Sequence, residues 1–203
     1  MRLYVYSICK NELHNISAFL EQCKEADGLV IVDTGSTDGT REYLTSKNIK
    51  WYDYPYKDSF RFDEARNYAH CLIPEDVEIR LAMDVDSTIT KGYADIIKEY
   101  WLPELTNAEI STRVNNIEST TIDCHNKYCF WKYPVYEKLT CKRDMYVRKI
   151  PNIEITKQVT RSREKLKFYL DLAEKGLRES PEDEMMKRIY KSIKEDFDRW
   201  QMN

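Results

Sequence analysis

The sequence contains few of the residues that are typical of linkers and disordered segments, and it has no long apolar run. Its 203 residues include only 5 glycines and 6 prolines, which argues against a linker-rich or disordered chain. No run approaches the roughly 20 apolar residues of a membrane-spanning helix. The segment 1–5 carries one charge and a short apolar run, unlike a signal peptide. We therefore expect a cytoplasmic protein with no transmembrane segment.

The chain also lacks a strong excess of charge of either sign. Its formal net charge of -3 gives no general electrostatic footprint for nucleic acid or for an anionic membrane. Hydrophobic residues make up 42% and aromatic residues 12% of the chain, which is enough for a substantial core. The length suits one α/β domain, or one domain with an appendage.

The six cysteines include no C-x-x-C pair. In a reducing compartment we expect all of them to be free thiols. Cys124, His125, Cys129 and Cys141 do cluster in the sequence, but their spacing matches no common zinc pattern. Whether these four residues bind a metal stays open at this point.

Strand and helix patterns alternate over residues 1–86, which predicts a parallel sheet with right-handed crossovers. Short β-like runs over residues 108–150 fit mixed or antiparallel strands better. From about residue 160 the chain is helical and charged, and Pro181 marks the start of a second helix. We interpret residues 159–203 as a C-terminal helical hairpin that serves as a packing appendage or as a contact between copies in a homo-oligomer.

The most informative segment is a buried strand that ends on a lone carboxylate. The apolar run 29–32 does not alternate, as in a strand buried on both faces, and Asp33 follows it directly. Gly35 and Gly39 permit a tight turn before the next helix. In open α/β sheets the crevice at the carboxyl ends of the strands binds ligands. Asp33 is therefore a candidate binding residue, although a structural turn aspartate is the alternative.

A second acidic strand end follows the apolar run 79–83. In an extended chain Asp84 and Asp86 share a face, and a divalent cation such as Mg²⁺ or Mn²⁺ would relieve their repulsion. Arg66 lies on the helix between the two strand ends, where it can pair with a carboxylate or a phosphate. Each signal is weak alone, because a solvated turn or a surface arginine would look the same.

Together these segments resemble the family-two glycosyltransferases of the GT-A fold. The match rests on the run 32–40, on 9–12 before it, and on Phe60, 65–67 and 84–86 after it. It implies a Rossmann-like mixed α/β sheet flanked by helices. It also implies a GT-A domain over residues 1–158, with the nucleotide-sugar half at 1–90 and the acceptor half at 91–158.

The resemblance also implies roles for individual residues. Asp33 would bind the base of a nucleotide-sugar donor, and Cys9 and Glu12 would line the same pocket. Arg66 would hold either the base-binding aspartate or the diphosphate. Asp84 would approach the ribose, and Asp84 and Asp86 would hold the Mn²⁺ or Mg²⁺ ion that stabilises the leaving diphosphate.

An inverting enzyme needs a general base for the acceptor hydroxyl. Relatives carry a Trp-x-x-Pro-x-His-Glu-x-Leu pattern, which corresponds here to residues 131–139. Glu137 keeps the carboxylate and is the candidate base, whereas Tyr136 replaces the histidine. Relatives also place a histidine after a later apolar strand, but the run 153–157 has none and ends on Lys157. This lysine could supply charge in place of a metal.

These residues predict transfer of a sugar, with inversion, from a nucleotide sugar to an acceptor hydroxyl, and a UDP-sugar is the favoured donor. The alternative is a binding module that has lost catalysis. A nucleotidyltransferase is disfavoured, because the run 7–12 contains no glycine for a phosphate loop. The acceptor stays open among a saccharide, a protein and a hydroxylated DNA base of a phage. Basic and aromatic residues at 127–133 suit stacked bases and sugars equally.

Overall fold

The computed structural model describes residues 1–160 and 162–201, and the side chains of all of these except Ile122 and Gln201. Residues 161, 202 and 203 of the predicted C-terminal hairpin lie outside this part of the chain. No helix in the described part is long and apolar enough to cross a membrane.

The first half of the chain alternates strands with helices, as the sequence predicts. The strands are β1 (Leu3–Cys9), β2 (Gly28–Asp33), β3 (Trp51–Asp53) and β4 (Ile79–Ala82). The helices are α1 (Ile16–Cys23), α2 (Thr40–Ser46) and α3 (Phe62–Cys71), and a single 3₁₀ turn (Lys57–Ser59) precedes α3. β1 pairs in parallel with β2 and β4, and β2 pairs in parallel with β3. The predicted parallel half of the sheet is therefore confirmed.

The second half adds strands of mixed direction. It contains β5 (Ser87–Ile89), α4 (Tyr93–Tyr100), β6 (Asn107–Val114), β7 (Ile117–His125), β8 (Cys129–Lys132), β9 (Lys138–Cys141) and β10 (Val147–Lys157). The sheet order is β3-β2-β1-β4-β7-β6-β10-β5. β7 runs antiparallel to β4 and β6, and β10 runs parallel to β6 but antiparallel to β5. The sequence did not predict the short strands β5, β8 and β9.

The sheet is covered on both faces. On one face, apolar residues of α1, α2 and α4 form a core with Leu3 and Ile31. On the other face, α3 and Trp131 pack against Tyr6 and Val32. Neighbouring residues of β1 and β2 thus enter opposite cores, which explains why these strands are apolar without alternation.

β8 and β9 form a separate antiparallel hairpin closed by a disulfide. Cys129 and Cys141 lie opposite each other in the register and are bonded. The prediction that all six cysteines are free thiols is wrong for this pair, because the hairpin joins residues 12 positions apart. No spacing pattern of the cysteines indicated that pairing. The other four cysteines are free.

His125 is not a metal ligand in this fold. Its Nε2 atom lies 2.7 Å from the Tyr6 hydroxyl, and its Nδ1 atom lies 2.8 Å from the carbonyl oxygen of Asn126. Burial lowers the pKa of His125 to about 3, so the ring is a neutral core group. With Cys129 and Cys141 in a disulfide, the candidate zinc cluster is excluded.

Two C-terminal helices follow, α5 (Arg163–Glu179) and α6 (Glu184–Gln201). Ser162 caps α5, since its hydroxyl accepts a hydrogen bond from the backbone N–H of Lys165. Asp183, the last residue of the predicted cap segment 180–183, caps α6 by accepting hydrogen bonds from the backbone N–H groups of Met185 and Met186, and Pro181 lies before the helix rather than at its first position. The pair therefore forms the predicted helical hairpin, with the start of its second helix shifted.

The two helices pack against the body of the protein through a third core. Leu170, Ala173 and Ile193 share this core with Val135, and Phe62 packs against it. Val135 lies in the loop between β8 and β9, so the helices are attached to the part of the chain that carries Glu137. Homo-oligomer formation through these helices stays a prediction.

Gly176 permits the closest approach between α5 and the body. A β-carbon there would lie 2.7 Å from Pro134 Cγ and 2.8 Å from Met186 Sδ. In an isolated helix, Gly176→Ala would increase the stability of the helix by about 1 kcal/mol. In this protein we expect Gly176→Ala to lower the free energy of unfolding by about 1–2 kcal/mol, because overpacking outweighs the gain in helix stability. Urea denaturation measures this change in the free energy of unfolding, with substitution of an exposed residue on the same helix, Arg178→Ala, as the control. A more stable Gly176→Ala would contradict this packing.

Candidate active site

A cleft of about 730 Å³ opens at the carboxyl ends of the parallel strands. Its walls come from the exit of β1, the turn after β2, the segment from the 3₁₀ turn to α3, the turn after β4, the loop between β8 and β9, the end of β10, and α5. The cleft thus lies where ligands bind in open α/β sheets. Of the predicted site residues, Cys9, Glu12, Arg66, Asp84, Asp86 and Glu137 line it.

Asp33 lies beneath the cleft rather than on its surface. It is completely buried, and its Oδ1 atom accepts hydrogen bonds from the backbone N–H groups of Gly35 and Ser36 at 2.9 and 3.0 Å. Gly35 adopts a φ of +115°, which favours glycine. Burial disfavours the charge of Asp33, but hydrogen bonds from Ser36 and Arg41 outweigh it and lower the pKa of the carboxyl. Asp33 therefore orders the turn that forms the cleft wall.

The arginine that pairs with Asp33 is Arg41, not Arg66. The Nε atom of Arg41 lies 2.6 Å from Asp33 Oδ1, and its Nη2 atom lies 2.8 Å from Asp53. The resemblance implied that Arg66 holds either Asp33 or the diphosphate. In this structure Arg66 does not pair with Asp33. Arg41 stands in the first turn of α2, directly after the Asp33 turn, which is the only sequence cue to this contact.

Cys9 and Glu12 flank Asp33 from the exit of β1. The Cys9 thiol lies 3.7 Å from Asp33 Oδ2, and burial raises the pKa of that thiol, so it stays protonated. Burial also raises the pKa of Glu12, whose Oε2 atom accepts a hydrogen bond from Asn15 at 2.8 Å. Both groups line the cleft and suit polar contact with a ligand.

Asp84 and Asp86 lie in a turn between β4 and β5, not in an extended strand as the sequence predicted. The turn is closed by a hydrogen bond from the Ser87 N–H to the Asp84 carbonyl. The two carboxylates still face one point, because Lys157 holds both of them. Its Nζ atom lies 2.7 Å from Asp84 Oδ2 and 2.8 Å from Asp86 Oδ1.

Arg66 joins this turn to the candidate base. Its Nη2 atom lies 2.6 Å from Asp84 Oδ1, and its Nε atom lies 2.8 Å from Glu137 Oε1. The guanidinium carbon also lies 5.4 Å from the ring centroid of Trp131. Asn67 fixes the geometry, because its side-chain amide exchanges two hydrogen bonds with the backbone of Trp131 at 2.8 and 2.9 Å. The predicted pattern at 65–67 thus anchors the loop that carries Glu137.

These contacts keep the site ionised. Burial opposes the charge of Asp84, but Arg66 and Lys157 outweigh it and hold its pKa well below the usual range. Burial likewise opposes the charge of Lys157, but Asp84 and Asp86 raise its pKa. The result is a fixed chain of alternating charges, Glu137–Arg66–Asp84–Lys157–Asp86.

The C-terminal helix α5 forms one wall of the cleft through Lys165, Phe168 and Tyr169. Phe168 lies 6.1 Å from Phe60 and 6.3 Å from Phe62 between ring centroids, so an aromatic patch faces the acidic turn. The sequence predicted packing or oligomer contacts for this helix and missed its place at the site. Its apolar stripe shows that one face is buried but not what covers it.

Charges in the cleft slightly favour anions. Among the described residues that line it, five are basic and four are acidic. The basic residues are Lys10, Lys57, Arg66, Lys157 and Lys165, and the acidic residues are Glu12, Asp84, Asp86 and Glu137. Such a cleft suits a ligand that carries phosphate groups beside neutral polar groups.

Asp123 is a further perturbed carboxyl that the sequence did not reveal. Burial raises its pKa to about 6, and the charges of Asp84 and Glu137 add to this while Arg66 opposes it. A folded pKa above the ordinary value of about 3.9 means that ionised Asp123 destabilises the fold. That cost is absent below about pH 4 and complete above about pH 6.

We therefore expect Asp123→Asn to stabilise the protein by an amount on the order of 2 kcal/mol at about pH 8 and to have little effect near about pH 4. Urea denaturation at both pH values measures this difference. The exposed Asp76→Asn serves as the control for loss of a carboxylate. An equal effect of Asp123→Asn at both pH values would contradict the raised pKa.

A divalent metal does not fit the acidic turn as it stands. Both oxygens of Asp84 are taken, by Arg66 and Lys157, and Asp86 Oδ1 is taken by Lys157. The ammonium group occupies the position between the carboxylates that a cation would need, and Mg²⁺ or Mn²⁺ requires free oxygen ligands there. With Lys157 in this position, Asp84 and Asp86 do not offer the metal site that the sequence predicted.

Comparisons with known proteins show the fold. No protein-family model matches the chain, and no curated protein matches it either. A solved structure of TarS from S. aureus superposes with a TM-score of 0.57 at 14% identity, over 93% of this chain and 42% of that one. Glucosyl-3-phosphoglycerate synthase from Mycobacterium tuberculosis, solved with Mn²⁺, UDP and glucosyl-3-phosphoglycerate, superposes over 55% of this chain and 44% of that one at 16% identity with a TM-score of 0.44.

The architecture is that of the GT-A glycosyltransferases, an α/β fold with a mixed sheet and, here, a C-terminal helical pair. The chain spans less than half the length of each of these two neighbours. At such low identity the likeness defines the fold class, and no residue assignment follows from it. The site residues therefore rest on the contacts described above.

Proposed function

We propose that this protein is a glycosyltransferase, which moves a sugar from a nucleotide-sugar donor to an acceptor hydroxyl with inversion at the anomeric carbon. The observation that carries this proposal is the charge chain Glu137–Arg66–Asp84–Lys157–Asp86 in a cleft at the carboxyl edge of a GT-A sheet. It combines a carboxylate that can take a proton with cations that can hold a diphosphate.

The donor is assigned to the part of the cleft formed by residues 1–90. Cys9 and Glu12 line the side that would hold the base, and the turn ordered by Asp33 shapes that side. Asp84, which pairs with the cations Arg66 and Lys157, is the proposed contact for a ribose hydroxyl. A uridine diphosphate sugar is the proposed donor.

The acceptor is assigned to the side formed by residues 91–158 together with α5. At the border of this side, Phe168 of α5 meets Phe60 and Phe62 of the first half, and this aromatic patch offers flat apolar surface to a sugar or a base. Tyr136 also lines this side, and its ring lies 6.0 Å from that of Tyr169. A saccharide, a protein and a hydroxylated DNA base remain the candidate acceptors.

The reaction then follows from the positions of the charged groups. The acceptor oxygen attacks the anomeric carbon as Glu137 takes its proton, and the bond from that carbon to the diphosphate oxygen breaks. Lys157 and Arg66 stabilise the charge that develops on the departing nucleoside diphosphate. Arg66 also fixes the orientation of Glu137, through its Nε contact with Oε1 at 2.8 Å.

A panel of UDP-, GDP- and TDP-sugars tests donor binding, first by thermal shift and then by calorimetry. We expect one class of nucleotide sugar to raise the melting temperature of the wild type. The Asp84→Asn variant should lose that response, while the exposed Glu75→Gln should keep it. No stabilisation by any member of the panel would contradict the proposal. Binding without turnover would favour the alternative, a nucleotide-sugar-binding module. The presence of Tyr136 in place of the histidine of the family pattern supports that alternative.

A further inference from the structure

We infer that the ammonium group of Lys157 replaces the divalent cation at the acidic turn of Asp84 and Asp86, so that this protein binds a nucleoside diphosphate without a metal ion. This inference rests on the function proposed above and specifies how its donor site works.

The position of Lys157 is fixed by the fold. It is the last residue of β10, the longest strand, and it pairs with Ser87 of β5 directly after the acidic turn. The neighbouring pair, Thr156 and Thr88, joins the same two strands. The register of β10 and β5 therefore places the lysine at the turn, and its side chain is only 21% exposed.

The oxygen atoms that a metal would need are occupied. Lys157 contacts Asp84 Oδ2 and Asp86 Oδ1, and Arg66 contacts Asp84 Oδ1. A dication placed between the carboxylates would meet the ammonium at hydrogen-bond distance, where like charges repel strongly. Metal binding would thus require Lys157 to leave, which would give up two charge-assisted hydrogen bonds in a partly buried site.

Lys157 also has the positive charge and the hydrogen-bond donors that a cation at this site needs. Its burial opposes the charge, but Asp84 and Asp86 raise the pKa of the ammonium, which stays protonated throughout the neutral range. An ammonium has three donors, and the two carboxylates use two of them. No residue in the described part of the chain takes the third, which we assign to a phosphate oxygen of the ligand. Arg66 lies on the other side of Asp84, so two cations flank the place of the diphosphate.

Titration with Mn²⁺ alone, followed by electron paramagnetic resonance, tests the exchange of lysine for metal in the free protein. We expect weak Mn²⁺ binding by the wild type and at least about tenfold tighter binding by Lys157→Met, because the two carboxylates become free. Lys24→Met removes a lysine that is 69% exposed and should behave as the wild type. Lys157→Gln provides a second variant should Lys157→Met fold poorly. An unchanged Mn²⁺ affinity in both Lys157 variants, or tight wild-type binding that Asp86→Asn removes, would overturn the inference.

Calorimetry with UDP, in EDTA and in Mn²⁺, separates this inference from the proposed function. The wild type should bind UDP equally well in both. Lys157→Met should lose at least about tenfold in affinity in EDTA and recover part of it in Mn²⁺. Binding of UDP by the wild type only in Mn²⁺ would overturn the role of Lys157 and leave the proposed function intact. Absence of nucleoside diphosphate binding under both conditions would contradict the proposed function, and the Mn²⁺ titration alone would still decide the role of the lysine.

Discussion

The Glu137→Gln variant is expected to bind a nucleotide-sugar donor as the wild type does and to turn it over about 10²–10⁴ times more slowly. The amide oxygen of glutamine can accept the hydrogen bond from Arg66 Nε that Glu137 Oε1 accepts now at 2.8 Å. The loop geometry should therefore survive. What the variant loses is the ability to take a proton from the attacking hydroxyl, which is the role proposed for this carboxylate.

Release of UDP from UDP-glucose measures this effect, with water or an identified saccharide as the acceptor. Glu118→Gln is the matched control, because that side chain is 75% exposed and lies on β7, outside the set of residues that line the cleft. Equal UDP release by Glu137→Gln and the wild type would show that another group takes the proton.

The second large effect is expected on stability. Arg66→Met should lower the free energy of unfolding by about 3 kcal/mol, since the guanidinium is only 13% exposed and holds two carboxylates. Without it, Glu137 loses its arginine partner, and Asp84 keeps only Lys157. Arg113→Met removes an arginine that is 42% exposed and also contacts two carboxylates, Glu118 and Glu154. That control should cost less than about 1 kcal/mol.

The pH dependence of the stability deficit of Arg66→Met tests whether the deficit comes from the ion pair with Asp84. In the wild type the pKa of Asp84 lies below its unfolded value of about 3.9. Its ionised form therefore stabilises the fold above about pH 4, and this stability is lost as the pH falls through the folded pKa. The deficit of Arg66→Met should be largest near neutral pH and should shrink in acid. A deficit that does not change with pH would point to lost packing on Trp131 instead.

The features that the sequence predicts well are local ones. Residues 29–40 carry the strand, the turn and the start of α2 in one short stretch, so the place of Asp33 at a strand end follows from neighbouring residues. The run 62–71 likewise has helical spacing and forms α3 over those residues. Apolar strands without alternation predict a sheet that is covered on both faces, as found.

The contacts that define the site join distant parts of the chain. Lys157 reaches Asp84 across 73 positions, and Arg66 reaches Glu137 across 71. No local pattern encodes the register of β10 with β5, which brings the lysine to the acidic turn. The same holds for α5, whose apolar residues predict that one face of the helix packs against a neighbour but do not identify that neighbour. Arg41 was missed because Arg66 offered an equally reasonable arginine for Asp33.

The most direct measurement is a mass balance on the wild-type protein with a nucleotide sugar and candidate acceptors. We expect the acceptor to gain the mass of one sugar for each nucleoside diphosphate released, with the anomeric configuration inverted. This should hold in the presence of EDTA. Release of pyrophosphate would identify a nucleotidyltransferase, and donor binding with no release of any product would identify a binding module. Either result would contradict the account of this cleft as the site of glycosyl transfer.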